Sequence, residues 1–258
     1  MKIGYFADGP WSHSSFQKLV SKKNTTITFV CVRFNSPDQK LIKMATENKI
    51  PVLMEKNINE KKFLDKIKKF DCDIYISMSF NQIFKKRILN LPEKGVINCH
   101  AGKLPFYRGR NVLNWVLIND EKEFGVTTHF VDEGIDTGDI ILQKVQKITD
   151  QDNYASLLHK AYKICSDLLY KSIKLIKNND YKLISQKSIH PVGLYCIKRG
   201  IGDEVLNWNS TSRQVFNFVR AISDPGPIAR SSINGNEIKI KKVELIKDAP
   251  YFLGFKIL

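Results

Sequence analysis

The chain has 258 residues, 43% of them hydrophobic, which is enough for one large α/β domain with a core of its own and a smaller appendage. A formal net charge of +15 favours phosphate-bearing partners such as a nucleotide or RNA. The absence of an arginine-rich tail, an aromatic-interleaved basic patch or zinc-finger spacing argues against a dedicated nucleic-acid module. Apolar β-rich runs then alternate with helical patterns: Lys2–Phe6, Thr26–Val32, Pro51–Met54, Asp73–Ser79 and Gly95–Asn98 read as strands. This alternation predicts an α/β fold, a Rossmann-like doubly wound, mostly parallel sheet with helices on both faces. After the first strand, Asp8-Gly9-Pro10-Trp11-Ser12 reads as a turn opening a helix, where either a phosphate rests on free N–H groups or Ser12 simply caps the helix. No Gly-x-Gly-x-x-Gly follows, so a nicotinamide or flavin dinucleotide is not expected. The lysines of Lys61–Lys69 fall on the outer face of an amphipathic helix, the ordinary solvated arrangement.

The run Gly95-Val-Ile-Asn98-Cys-His100 places Asn98 and His100 on one face of a strand and Cys99 on the other, at the carboxyl end where open α/β sheets hold their ligands. The loop Leu104-Pro-Phe-Tyr107-Arg108-Gly-Arg110 leads into an apolar helix beginning at Val112. Phe124–Asp132 and Asp139–Gln146 read as half-buried strands flanking Asp132-Glu133-Gly134-Ile135-Asp136-Thr-Gly138. Asn153–Lys177 reads as a long helix, with Leu157, Leu158, Ala161, Ile164, Leu168, Leu169, Ile173 and Ile176 on one broad face that covers the sheet. From Leu183 the segments shorten into a second unit: a helix over Thr211–Ile222, the turn Asp224-Pro-Gly-Pro227, and strands at Ala229–Ile233 and Glu237–Leu245. Domains are therefore expected at residues 1–182 and 183–258.

Five scattered cysteines without a Cys-x-x-Cys pair suggest reduced core thiols, with neither a disulfide framework nor a metal site. His13, His129, His159 and His190 read as surface or packing histidines. With no cleavable leader and no spanning apolar run, a cytoplasmic address is expected.

Asn-x-His at 98–100, Leu-Pro-x-x-Arg-Gly at 104–109, Gly-Val-Thr at 125–127 and Asp-Glu-Gly-Ile-Asp-Thr-Gly at 132–138, in that order, resemble the formyltetrahydrofolate-dependent formyltransferases. The resemblance covers most of residues 1 to about 150, and its specificity lies in four motifs at family spacing. It implies a formyltransferase with N10-formyltetrahydrofolate as formyl donor and with Asn98, His100 and Asp136 as the catalytic set. The pterin would lie against Asn81, Gln82, Ile83 and Phe84 and the loop Asp132, Glu133, Gly134 and Ile135. Within that frame Asn98 would donate to the tetrahedral oxyanion, His100 would supply a second donor or handle the amine proton, and Asp136 would favour the charged imidazole and order a water. Read by itself, Asp136 could instead only cap its turn.

Tyr107, Arg108 and Arg110 could hold phosphates, or the arginines could pair with nearby carboxylates. Arg110-Asn-Val-Leu-Asn-Trp115 looks like the corresponding segment of enzymes that formylate 4-amino sugars on UDP or dTDP, and the chain stops soon after the start of the family's C-terminal barrel. The expected acceptor is therefore a nucleotide-linked amino sugar of surface polysaccharide (lipopolysaccharide) biosynthesis. The alternatives are methionyl-tRNA formyltransferase and a non-catalytic folate- or nucleotide-binding protein, and a homodimer through the smaller domain is a further expectation from the family.

Overall fold

A computed structural model describes residues 1–246 and the backbone of 255–257. The first half alternates strand and helix: β1 (Lys2–Ala7), α1 (Pro10–Val20), β2 (Thr26–Val32), α2 (Gln39–Glu47), β3 (Val52–Met54), α3 (Lys61–Lys68), β4 (Ile74–Met78), α4 (Lys86–Leu89) and β5 (Val96–His100). These five strands pair in parallel in the order β3-β2-β1-β4-β5. Strands covered on both faces need apolar residues at nearly every position, and β4 is buried along its whole length.

After β5 come β6 (Arg108–Gly109), α5 (Val112–Ile118), β7 (Glu123–Phe130) and β8 (Ile140–Lys147). β7 and β8 complete a seven-stranded sheet as antiparallel additions beyond β5, so the sheet is mostly parallel with an antiparallel edge. The β7–β8 register shifts between Thr128 and His129, a bulge one residue wide. α6 (Tyr154–Lys177) starts one residue later than expected because Asn153 is its cap, in a reciprocal box with Ser156. Its eight expected apolar residues are all buried. They join one core with α1 and α5, while a second core on the other face centres on Phe6, ringed edge-on by Phe29, Tyr75 and Phe84.

The remaining chain holds α7 (Gln186–Ile189), β9 (Tyr195–Cys196), α8 (Ser212–Ala221), β10 (Ala229–Ile233), β11 (Asn236–Ile240), β12 (Val243–Leu245) and β13 (Phe255–Ile257). The single strand expected over Glu237–Leu245 is two: β11 closes a hairpin with β10, and after Lys241 and Lys242 the chain turns away so that β12 pairs with β13. α8 docks on α5, where Asn114 Nδ2 donates to Ala221 O at 2.7 Å. Among the described residues no helix is long and apolar enough to cross a membrane.

Candidate active site

β5 ends beside the carboxyl ends of β1 and β4, and a cleft of about 700 Å³ opens there. Alternation along β5 holds as expected: Asn98 and His100 are half-buried on the cleft, while the thiol of buried Cys99 points to Cys165 O. The loop after β7 brings Asp136 back over them. Asp136 has a left-handed backbone, φ 54°, an uncommon conformation for a residue with a side chain. The loop also needs glycine at 138, because a Cβ there would sit 1.9 Å from Phe130 O.

The Asp136 carboxylate is the hub. Its Oδ1 accepts from Asn98 Nδ2 at 3.3 Å, and its Oδ2 accepts from Gly109 N at 2.9 Å. His100 Nδ1 lies 3.6 Å from Oδ2, and His129 Nε2 lies 3.5 Å from Oδ1. Burial pushes the Asp136 carboxyl up, but the His100 charge, the hydrogen bond and charge of His129 and the Gly109 N–H together outweigh it. The result is a carboxyl held well below the usual carboxylate range. Across the ring of His100, Nε2 faces the carbonyl of Tyr107 at 2.7 Å, so that nitrogen must be the donor. Gly102 permits this approach, since a Cβ at 102 would lie 2.3 Å from Tyr107 O and 2.5 Å from His100 Nε2.

His129, read from the sequence as a packing histidine, belongs to this cluster. It is directly paired with Asn98 in the β5–β7 ladder and 2% exposed, with Nε2 3.3 Å from Asn98 Nδ2 and Nδ1 donating to Phe130 O at 2.7 Å. The signal that would have found it is the antiparallel register, which the sequence pattern does not state. His13 pairs instead with Asp38, and the His190 ring accepts from Val192 and Gly193 N–H.

The remaining expected site residues divide. Asn81, Gln82, Ile83 and Phe84 line the cleft, as do Asp132, Gly134 and Ile135. Ile83 and Ile135 are about half exposed, two apolar side chains free to flank a flat ring. Phe84, by contrast, is buried in the second core, and the Gln82 side chain is occupied by Ile58 N and Glu55 O. Asp132 binds its own loop, accepting from Gly134 N and Thr137 Oγ1, and exposed Glu133 stands outside the cleft lining.

Of the turn after β1, only Trp11 reaches the cleft. Asp8 is buried and accepts from the N–H groups of Arg33 and Asp38. Gly9, not Ser12, is the helix cap, Pro10 opens the first turn, and the Ser12 hydroxyl donates to Gly9 O, so Ser12 neither caps nor presents itself to a ligand.

Tyr107 and Arg108 do not face the cleft. The Tyr107 hydroxyl donates to Glu121 at 2.5 Å. Arg108 is 6% exposed and spends its guanidinium on Gln186 Oε1, Val192 O and Tyr195 Oη, with neither phosphate access nor a carboxylate partner among the described residues. Arg110 does line the cleft. Lys198, which sequence reasoning missed, lines it as well. The backbone around Lys198 runs beside β6 and α5, held by Arg110 N to Cys196 O, Trp115 Nε1 to Ile197 O and Arg199 N to Asn111 Oδ1.

Residues 1–173 match the family described as formyl transferase, and residues 202–252 match formyl transferase, C-terminal domain. A methionyl-tRNA formyltransferase of Thermodesulfovibrio yellowstonii is 34% identical over 205 residues, 80% of this chain and 65% of that protein. Another, from Halothermothrix orenii, is 33% identical over 96% of this chain and 80% of its own length. Among solved structures, WlaRD, a sugar 3N-formyl transferase crystallised with dTDP and 5-N-formyl-THF, superposes with a TM-score of 0.72 and 26% identity, covering 96% of this chain and 87% of its own.

Proposed function

The chain belongs to the formyl transferase family, and from that premise we propose that it moves a formyl group from N10-formyltetrahydrofolate to the amino group of a nucleotide-linked amino sugar. The observation that carries the acceptor is the pair Arg110 and Lys198. Both are exposed, both line the cleft, and neither has an ion-pair partner among the described residues. Two uncompensated cations in one cleft suit a diphosphate, and a cleft of about 700 Å³ is within the usual size range of small-molecule sites. The similarity to a sugar 3N-formyl transferase supports the same reading.

The donor supplies the formyl carbon as electrophile. It fits the other end of the cleft, where Ile83 and Ile135 offer apolar surface beside the backbone of residues 81–84. Attack by the amine makes a tetrahedral centre whose oxygen gains negative charge and whose amine nitrogen must lose a proton; its collapse breaks the bond between the formyl carbon and N10, which takes up a proton as tetrahydrofolate leaves. Asn98 Nδ2 is the oxyanion donor in this scheme, with His100 beside it as second donor. Asp136 holds both in place, and its ionised carboxylate favours the charged imidazole and orders a water that carries the amine proton away.

Methionyl-tRNA is the second acceptor, favoured by the identity to the two bacterial relatives. The deciding experiment incubates the protein with N10-formyltetrahydrofolate and UDP-, dTDP- and GDP-linked amino sugars beside initiator Met-tRNA, and reads the formyl mass gain. Transfer to an amino-sugar nucleotide is expected; transfer to the tRNA alone overturns the proposed acceptor.

A further inference from the structure

Behind the cleft, outside its lining, lies a buried side chain that joins two of the segments that hold Asp136. Gln186, on the short helix α7, is 1% exposed. Its Nε2 donates to Asp136 O at 2.8 Å and to Gly138 O at 2.7 Å. Its Oε1 accepts from Arg108 Nε at 3.0 Å and Arg108 Nη2 at 2.7 Å. Both amide hydrogens and the carbonyl oxygen are thus engaged inside the protein.

The two ends of this amide hold opposite sides of one carboxylate. On one side Gln186 fixes the backbone of the loop in which Asp136 has its left-handed conformation, φ 54°. On the other side it fixes Arg108, and the next residue, Gly109, gives its N–H to Asp136 Oδ2 at 2.9 Å. Arg108 is braced in turn by Val192 O and by the Tyr195 ring, whose centroid is 5.3 Å from the guanidinium carbon. We propose that Gln186, with Arg108, is the positioning residue for Asp136: it sets the distance between the carboxylate and the groups of Asn98, His100 and His129. The inference rests on the formyl-transfer reading for its kinetic arm only.

The test is Gln186→Glu. Glutamate keeps the shape and the bond to Arg108, and adds charge complementarity there, but it presents an acceptor where Asp136 O and Gly138 O need a donor. The expected result is a kcat lower by about ten- to a hundredfold, as for small misplacements of a reacting group, with KM for donor and acceptor within about twofold and the melting temperature preserved. The ring-proton NMR resonances of His100 and His129 should shift, because both imidazoles face Asp136. Wild-type kcat with unmoved histidine resonances overturns the proposal, as does a kcat that falls only in step with thermal stability. Should Gln186→Glu fail to fold, Gln186→Asn, too short to span both sets of partners, is read the same way. If the wild-type protein formylates none of the acceptors offered, the functional reading fails, while the histidine resonances still decide the role of Gln186.

Discussion

In the resting cleft the Asn98 amide nitrogen donates to Asp136 Oδ1 at 3.3 Å and lies 3.3 Å from His129 Nε2. Contacts that long are weak for an N–H donor, so a developing oxyanion can displace one of them without a large loss. Removing such a donor typically costs about a hundredfold or more in turnover. Asn98→Ala and His100→Ala should therefore each lower kcat by that order while the melting temperature stays near wild type; near-normal turnover in either variant would refute the scheme. At the acceptor end, Arg110→Ala should raise the acceptor KM about tenfold, the worth of one charge-assisted contact, with kcat unchanged, whereas Arg108→Ala should leave the acceptor KM and lower kcat together with stability. Asp136 also makes a pH prediction. Its folded carboxyl is depressed, so its stabilising contribution is present above the ordinary carboxylate value of about 4 and is lost as pH falls from there through the folded value. Melting scans of wild type and Asp136→Asn below about pH 5 should show the wild type losing the larger increment. Strand alternation was enough to put Asn98 and His100 side by side, and the resemblance added Asp136. His129 escaped because its place depends on which residue of β7 faces Asn98, and Arg108 was misread because its partner Gln186 stands 78 residues further along.

At the scale of elements, α6 shows how a periodic apolar stripe becomes a packed face. Leu169 is fully buried in its middle, and Leu169→Ala should cost about 3 kcal/mol by chemical denaturation, transfer and cavity effects together. α8 is held differently, through two arginines. Arg213 donates to Asp120 and Asp150, and buried Arg220 donates to Thr149 O while its guanidinium stacks on Phe216. The Arg213 pairs are partly exposed and worth little each. Arg220→Ala should cost about 3 kcal/mol, because it strips a buried group from its carbonyl partners and from Asp120. Long periodic elements such as α6 were legible from the sequence; the break of Glu237–Leu245 into β11 and β12 was not, because the uninterrupted β-rich pattern hides a change of pairing partner at Lys241 and Lys242.

For the whole molecule, the parallel pairing among β1 to β5 followed from alternating strand and helix patterns, but their spatial order and the antiparallel edge strands did not, since direction is set by how the chain returns after α5. The net charge of +15 is spread largely over lysine-rich surfaces such as α3, so it does not by itself choose the acceptor. Salt does: a nucleotide-sugar KM should change little between roughly 50 and 200 mM salt, whereas a polyanion held by many phosphate contacts would weaken by about a thousandfold. The hub residues Asn98, His100, His129 and Asp136 come from β5 to the loop after β7, while Gln186, which braces Asp136, and Lys198 both reach the site from the segment that follows α6. The span from Gln186 to Lys198 thus serves both the reacting carboxylate and the proposed phosphate grip, so drift there that exchanges one guest for another also disturbs the turnover.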